Sequence, residues 1–162
     1  MRIHDLKQRL RQAGAGPSHE HRILRTWLRA QPGNTAKRPP EKFFPASLLA
    51  ALPAIEADLA SLARIQVVEA GEDGSERLLV ALADGQTVES VLLPREGLCV
   101  SSQVGCAVGC QFCMTGRSGL LRQVGSAEII AQVALARARR PVRKVVFMGM
   151  GEPSHNLDNV ME

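Results

Sequence analysis

The order of patterns along the 162 residues predicts an α/β chain: a small helical module, an antiparallel β-meander, then a strand–helix–strand unit. Three observations predict it. Apolar residues recur at helical spacing over about the first sixty positions, Asp-Gly turns then separate short apolar runs, and a glycine-punctuated stretch finally joins a strand to a helix and another apolar run. The expected divisions are a helical accessory domain over 1–63, a meander and linker over 64–96, and the βαβ segment over 97–162.

Ile3, Leu6, Leu10 and Ala13 define the first helix, with Gly14 where a stop is expected. Pro17-Ser18 offers a turn and an N-cap for a second helix, whose apolar face is Ile23, Leu24, Trp27 and Leu28. A loop is expected over 31–40. Residues 47–63, rich in Leu and Ala, make a third helical region in which Pro53 must start, end or kink a helix. Strands follow over 65–68, 78–82 and 88–93, separated by Glu72-Asp73-Gly74 and Asp84-Gly85. Residues 98–104 predict a further strand, and 105–125 a loop. Ser126 is the expected N-cap of a helix that carries Ile129, Ile130, Val133 and Ala136 to about Arg140, and Pro141 closes it. Residues 142–150 predict a buried strand.

No apolar run approaches the roughly 18 to 20 residues of a membrane span, and the first residues lack the apolar core of a signal peptide, so a cytoplasmic protein without membrane contact is expected. Charge is unevenly spread. Residues 1–50 carry ten Lys/Arg against three Asp/Glu, residues 51–100 three against nine, and residues 101–162 seven against four. A basic N-terminal module beside an acidic middle suggests that the first part meets polyphosphate, although such bias also marks ordinary solvated faces.

All four cysteines, Cys99, Cys106, Cys110 and Cys113, lie in one short stretch, which argues for metal or redox chemistry over a disulfide framework. Cys106, Cys110 and Cys113 are spaced C-x3-C-x2-C on a loop after a strand. Three thiolates can hold three corners of a cubane iron–sulfur cluster and leave one iron open to a ligand. A structural zinc would need a fourth donor. No histidine stands at zinc-finger spacing, and Cys99 lies seven residues upstream inside a predicted strand.

With Phe112 completing C-x3-C-x-aromatic-C, this segment resembles the signature of the radical S-adenosylmethionine (SAM) superfamily. The likeness extends to Cys99-Val-Ser-Ser-Gln-Val-Gly-Cys106, to Cys113-Met-Thr-Gly, to Val145-Val-Phe-Met-Gly-Met-Gly-Glu152-Pro153 with Asn156-Leu157, and to Gln86-Thr-Val-Glu89-Ser-Val-Leu-Leu-Pro94. Together these are similar to the ribosomal and transfer RNA adenine C2-methyltransferase family, over about the N-terminal half of a typical member. The fold class this implies is an incomplete radical-SAM (β/α) partial barrel, its first βαβ unit preceded by the helical module and the meander.

The resemblance implies a [4Fe-4S] cluster on Cys106, Cys110 and Cys113 that reduces S-adenosyl-L-methionine to a 5′-deoxyadenosyl radical. It places the cofactor also against Gly151 and Glu152, where glycine allows close backbone approach and a carboxylate can receive an ammonium or hydroxyl group. It makes Glu89 the general base at the methylated adenine and Cys99 the thiol that helps resolve an enzyme–RNA intermediate. A solvated strand glutamate and a small buried thiol are the ordinary alternatives. The implied partners are structured RNA, ribosomal or transfer, and a flavodoxin-type electron donor.

Arg117 and Arg122 are the expected phosphate contacts near the cysteine loop, while Arg137, Arg139, Arg140, Arg143 and Lys144 surround a helix end that positive charge already favours. His19 and His21, two apart on a helix, point to nearly opposite sides and are not expected to share a metal. The family's methyl-carrying cysteine has no counterpart after Cys113, so the chain is expected to be a fragment that is inactive alone. A non-catalytic cluster-bearing RNA module and methylation at carbon 8 remain alternatives.

Overall fold

The computed structural model describes residues 1–30 and 38–162, so most of the expected 31–40 loop lies outside the described residues. Helix α1 (Ile3–Gln12) buries Ile3, Leu6 and Leu10, and Gly14 leaves it with φ of +90°. Helix α2 (Pro17–Leu28) starts two residues earlier than Ser18 would set: Gly16 is the N-cap and Pro17 takes the first helical position, where a missing N–H costs nothing. The Gly16 amide donates to His19 Nδ1 at 3.0 Å. Helix α3 (Ala46–Ser61) runs through Pro53, forgoing a backbone hydrogen bond while burying Leu48, Ile55 and Leu59.

Strands β1 (Ala63–Ala70), β2 (Glu76–Leu82) and β3 (Thr87–Leu93) form the meander. Strand β4 (Gly97–Cys99) pairs antiparallel with β3. After a hairpin of β5 (Gln103–Gly105) and β6 (Leu120–Gln123), helix α4 (Ser126–Arg139) returns the chain to β7 (Lys144–Val146), which pairs parallel with β4. Meander and parallel pair thus share one sheet, ordered β1-β2-β3-β4-β7. The short α5 (Leu157–Val160) follows.

Period-two alternation assigns the sheet's two faces. Leu78, Val80, Val88, Leu92 and Leu98 are buried in a core shared with Ile129, Val133 and Ala136 of α4. Opposite partners on antiparallel strands share a face. The register Glu69↔Arg77↔Val91↔Cys99 and Leu79↔Glu89 therefore puts Glu89 and Cys99 on the other face.

Two expected strands are cut short. The run 98–104 divides after Cys99, because the Gln132 side chain takes both backbone groups of Ser101: Oε1 accepts from its amide at 2.9 Å and Nε2 donates to its carbonyl at 3.0 Å. The run 142–150 keeps strand geometry only at Lys144–Val146, on a sheet edge where Val145 is exposed rather than buried. Beyond it the chain bends back so that the Gly149 amide donates to the Val100 carbonyl at 3.1 Å.

The start of α4 is also built differently. Gly125 is the N-cap, its amide donating to Glu128 Oε2 at 2.7 Å, and Ser126 Oγ accepts from the Ile3 amide at 2.8 Å. The Met1 carbonyl accepts from the Ala127 amide at 3.3 Å, and a side chain at Gly125 would strike the Met1 backbone.

Candidate functional site

The cysteine loop rises from the β5–β6 hairpin. Its base closes where the Cys106 amide donates to the Gly119 carbonyl at 3.0 Å, and only glycine fits at 105, with φ of +78° and the Gly119 carbonyl against its Cα. Cys106 is buried at that base, Cys110 is exposed, and Cys113 is half-buried. The Cys113 amide donates to the Cys110 carbonyl at 3.0 Å, forming a tight turn between the two thiols. Thr115, through its hydroxyl and then its amide, together with the Gly116 amide, holds the Cys113 thiol below the usual range, because these donors favour the thiolate. Phe112, 92% exposed, and Met114 and Val108 project outward from the loop.

A second loop, 149–153, lies against the segment that leads into the cysteines. Met150 N donates to Ser101 Oγ at 2.8 Å, and the Met150 carbonyl accepts from the Ser102 and Gln103 amides at 2.9 and 3.2 Å. Gly151, with φ of +99°, rests on the stem of Gln103, so closely that an added Cβ would stand 2.5 Å from Gln103 Cβ. The Glu152 amide donates to Gln103 Oε1 at 2.8 Å. The Glu152 carboxylate caps the 3-10 turn Pro153–Asn156, accepting from Ser154 N at 3.0 Å; the Ser154 donors, with His155 adding to them, keep its acid below the ordinary carboxylate range. Asn156 is buried and donates to the Ser102 and Val124 carbonyls at 2.7 and 2.8 Å.

Glu89 is half-buried on β3, and its Oε1 accepts from Arg77 Nη1 at 2.8 Å while Arg77 also engages Glu69. Its backbone carbonyl accepts from Ser101 Oγ at 2.5 Å, which ties it to the cysteine-bearing segment. Cys99 is buried beside Val91, and burial pushes its thiol above the usual range. Glu89, Cys99, Cys106, Cys110, Cys113, Gly151 and Glu152 thus lie on, or are bonded to, the segment 99–113 or the loop packed on it.

Arg122 is not available for phosphate. It pairs with Glu128, through two hydrogen bonds of 2.9 and 3.0 Å, and with Asp84 at 2.6 Å, and these carboxylates, Glu128 foremost, push its pKa further up. Arg117 is exposed on the turn Met114–Ser118. In the α4 cluster, Arg137 donates to the Val142 and Leu28 carbonyls, Arg139 to Glu76 and Arg140 to the Gly74 and Leu93 carbonyls, while Arg143 pairs with Glu96. His19 packs on Phe43 and Phe44, and the buried Glu20 pairs with Arg11. Sequence reasoning missed the buried polar side chains Gln103, Gln132 and Asn156, which join these pieces.

Among the described residues no three His, Cys, Asp or Glu side chains gather as ligands of a single metal ion. A cubane asks for something else: each thiolate binds a separate iron, so the donors surround the group instead of converging on one point. Three thiols on one eight-residue loop, one of them disposed to ionise, fit that donor chemistry. Ser102 Oγ, buried in the adjoining segment, is the one described buried side-chain polar atom without a partner.

Known proteins share sequence and fold with this chain. Residues 100–162 match the family model of the radical SAM superfamily. Over its whole length the chain is 69% identical to a protein of Aromatoleum aromaticum and 67% identical to one of Leptothrix cholodnii, both described as probable RNA methyltransferases, and covers 46% and 47% of them. A crystal structure of a radical SAM methyltransferase from Sphaerobacter thermophilus superposes with a TM-score of 0.69 at 33% identity, over 99% of this chain and 48% of that one. The chain therefore spans about half the length of the curated relatives it matches. Its mixed α/β architecture is a partial radical-SAM fold. Among the described residues no helix is long and apolar enough to cross a membrane.

Proposed function

We propose, with the radical SAM membership of residues 100–162 as the premise, that this chain is the cofactor-holding part of an RNA methyltransferase that modifies adenosine, at carbon 2, in ribosomal or transfer RNA. The observation that carries this reading is the docking of the 149–153 loop on the segment that leads into Cys106, which sets the cysteine loop and the Gly151-Glu152 turn side by side. Cys106, Cys110 and Cys113 would hold a [4Fe-4S] cluster with one iron open, and Gly151 and Glu152 would receive S-adenosyl-L-methionine. When bound, the cluster supplies the electron that cleaves the cofactor's sulfonium, drawn from a flavodoxin-type donor in the cytoplasm.

The chain's own side chains then have separate tasks. Gly151 offers a backbone without a side chain in the way, and the ionised Glu152 attracts the methionyl ammonium. Glu89 accepts a proton from the adenine ring, with Arg77 holding one of its oxygens and leaving the other for the proton. Cys99, on the same sheet face, acts on the enzyme–RNA adduct. Residues 1–63 would grip folded RNA through phosphate contacts, supported by their excess of cations.

Anaerobic reconstitution followed by iron and sulfide analysis tests the cluster: about four of each per chain are expected, and Cys110→Ala should lose them. Fully thiolate-bound zinc in oxygen-protected protein, or unchanged iron in Cys110→Ala, refutes the ligand set. Release of 5′-deoxyadenosine from the reduced, cofactor-loaded protein separates an enzyme from a non-catalytic cluster module.

A further inference from the structure

We infer that Gln103 is a positioning residue that fixes the Gly151-Glu152 turn against the cysteine loop and thereby sets the affinity for the amino-acid end of S-adenosyl-L-methionine. The inference rests on the function proposed above and adds a residue to it. A ligand that chelates an iron held by one loop while touching the backbone of another binds only as well as the two loops are spaced. In this chain the spacing depends on a short list of bonds. Ser101 Oγ and the amides of Ser102 and Gln103 hold Met150 alone. Among the described residues the Gln103 side chain holds the turn itself, accepting from the Glu152 amide at 2.8 Å, while Asn156 and Gln123 tie down the residues beyond it.

Gln103 is suited to that task at both of its ends. It lies on β5 three residues before Cys106, whose amide closes the cysteine loop. Its side chain is fully buried, and Nε2 donates to Gln123 Oε1 at 3.0 Å, which fixes which end of the amide faces Glu152. Gln123 is itself held, donating through Nε2 to the His155 carbonyl at 2.8 Å beyond the Glu-Pro turn. Gly151 lies flat on the Gln103 stem, so the turn is gripped by packing at one residue and by a hydrogen bond at the next. Removing the acceptor leaves the half-buried Glu152 amide without its protein partner, a cost that a small shift of the turn towards solvent relieves.

The test compares variants in the anaerobically reconstituted chain. It measures iron and sulfide content, the electron paramagnetic resonance spectrum of the reduced cluster with and without S-adenosyl-L-methionine, and cofactor affinity by equilibrium dialysis. Gln103→Leu, similar in volume but without the acceptor, should load iron and give the parent's cofactor-free spectrum. It should bind the cofactor about tenfold or more weakly, and the spectral change seen in the parent should be absent at the concentration that saturates the parent. Gln103→Glu keeps an acceptor for Glu152, and its carboxyl, which burial favours in the protonated form, can donate to Gln123 Oε1 and leave the Gln123–His155 bond in place, so it should stay within about threefold of the parent.

Parent-like affinity in Gln103→Leu, or a loss in Gln103→Glu as large as in Gln103→Leu, overturns the inference. Should Gln103→Leu not fold, Gln123→Leu replaces it: the acceptor remains but its orientation is released, and unchanged affinity there is the overturning result. A parent that loads iron yet shows no response to the cofactor overturns the proposed function together with this inference, whereas equal responses in parent and variants overturn the inference alone.

Discussion

Residues 100–105 and 107–112 are neighbours in sequence and opposites in structure. The first six are buried, with backbone and side chains bonded to β3, α4, β6 and the 149–156 loop. The second six are exposed, and Phe112 at their end stands almost wholly in solvent. The contrast shows how the site divides its labour: the frame takes its order from folding, whereas the loop tip is left to whatever binds it. Precision resides in buried hydrogen bonds, and reactivity on a loop that such a frame can carry.

The strongest test of this contrast is a pair of glycine substitutions. Gly105→Ala forces a side chain into the Gly119 carbonyl at a positive φ, and should cost about 3–5 kcal/mol or prevent folding. Gly109→Ala, with φ of +68° and open space around it, should cost only about 1–2 kcal/mol in denaturant titration. Equal losses would mean that loop and frame are not mechanically distinct.

Gln132→Leu should follow, at about 2–4 kcal/mol, because it leaves Ser90 Oγ and both backbone groups of Ser101 unpaired in the core. Thermal unfolding and hydrogen exchange at residues 100–103 would register it. Arg122→Met strips the buried Glu128 of its cation, and because Arg122 is about a third exposed a loss of only about 1–2 kcal/mol is expected. The same variant carries a pH signature. Arg122 lowers the folded-state pKa of Asp84, so the Asp84 contribution is complete above the unfolded value of about 4 and disappears as pH falls through the lower folded value. Acid titration of stability should therefore be shallower in Arg122→Met than in the parent.

The smallest effects belong to the tip. Phe112→Ala should change stability by less than about 0.5 kcal/mol in the cluster-free chain. Alkylation followed by mass spectrometry should modify the exposed Cys110 well before the buried Cys99.

Much of this arrangement was legible in the sequence. Ile3, Leu6 and Leu10 announce α1, Asp84-Gly85 announces the β2–β3 hairpin, and the cysteine spacing announces the loop. What escaped was decided by partners distant in sequence. The strand over 98–104 is interrupted by Gln132, thirty-one residues beyond Ser101. Arg122 passes for a phosphate ligand until Glu128 and Asp84 fold onto it. A signal was present in Gln132, which stands among Ile129, Val133 and Ala136 on the apolar side of α4 and so had to be buried with partners. Gln103 gave no comparable sign, because in a strand over 98–104 it alternates with Val100 and Val104 and falls with Ser101 on the more polar side.

One consequence concerns the amino end. Because the Met1 carbonyl takes the place of a capping side chain over Gly125 and Ala127, extra residues fused ahead of it have to leave without lifting that carbonyl from α4. A purification handle placed there risks unseating the first turn of the crossover helix, and so the parallel pair it joins. A spacer long enough to clear the helix start removes that strain.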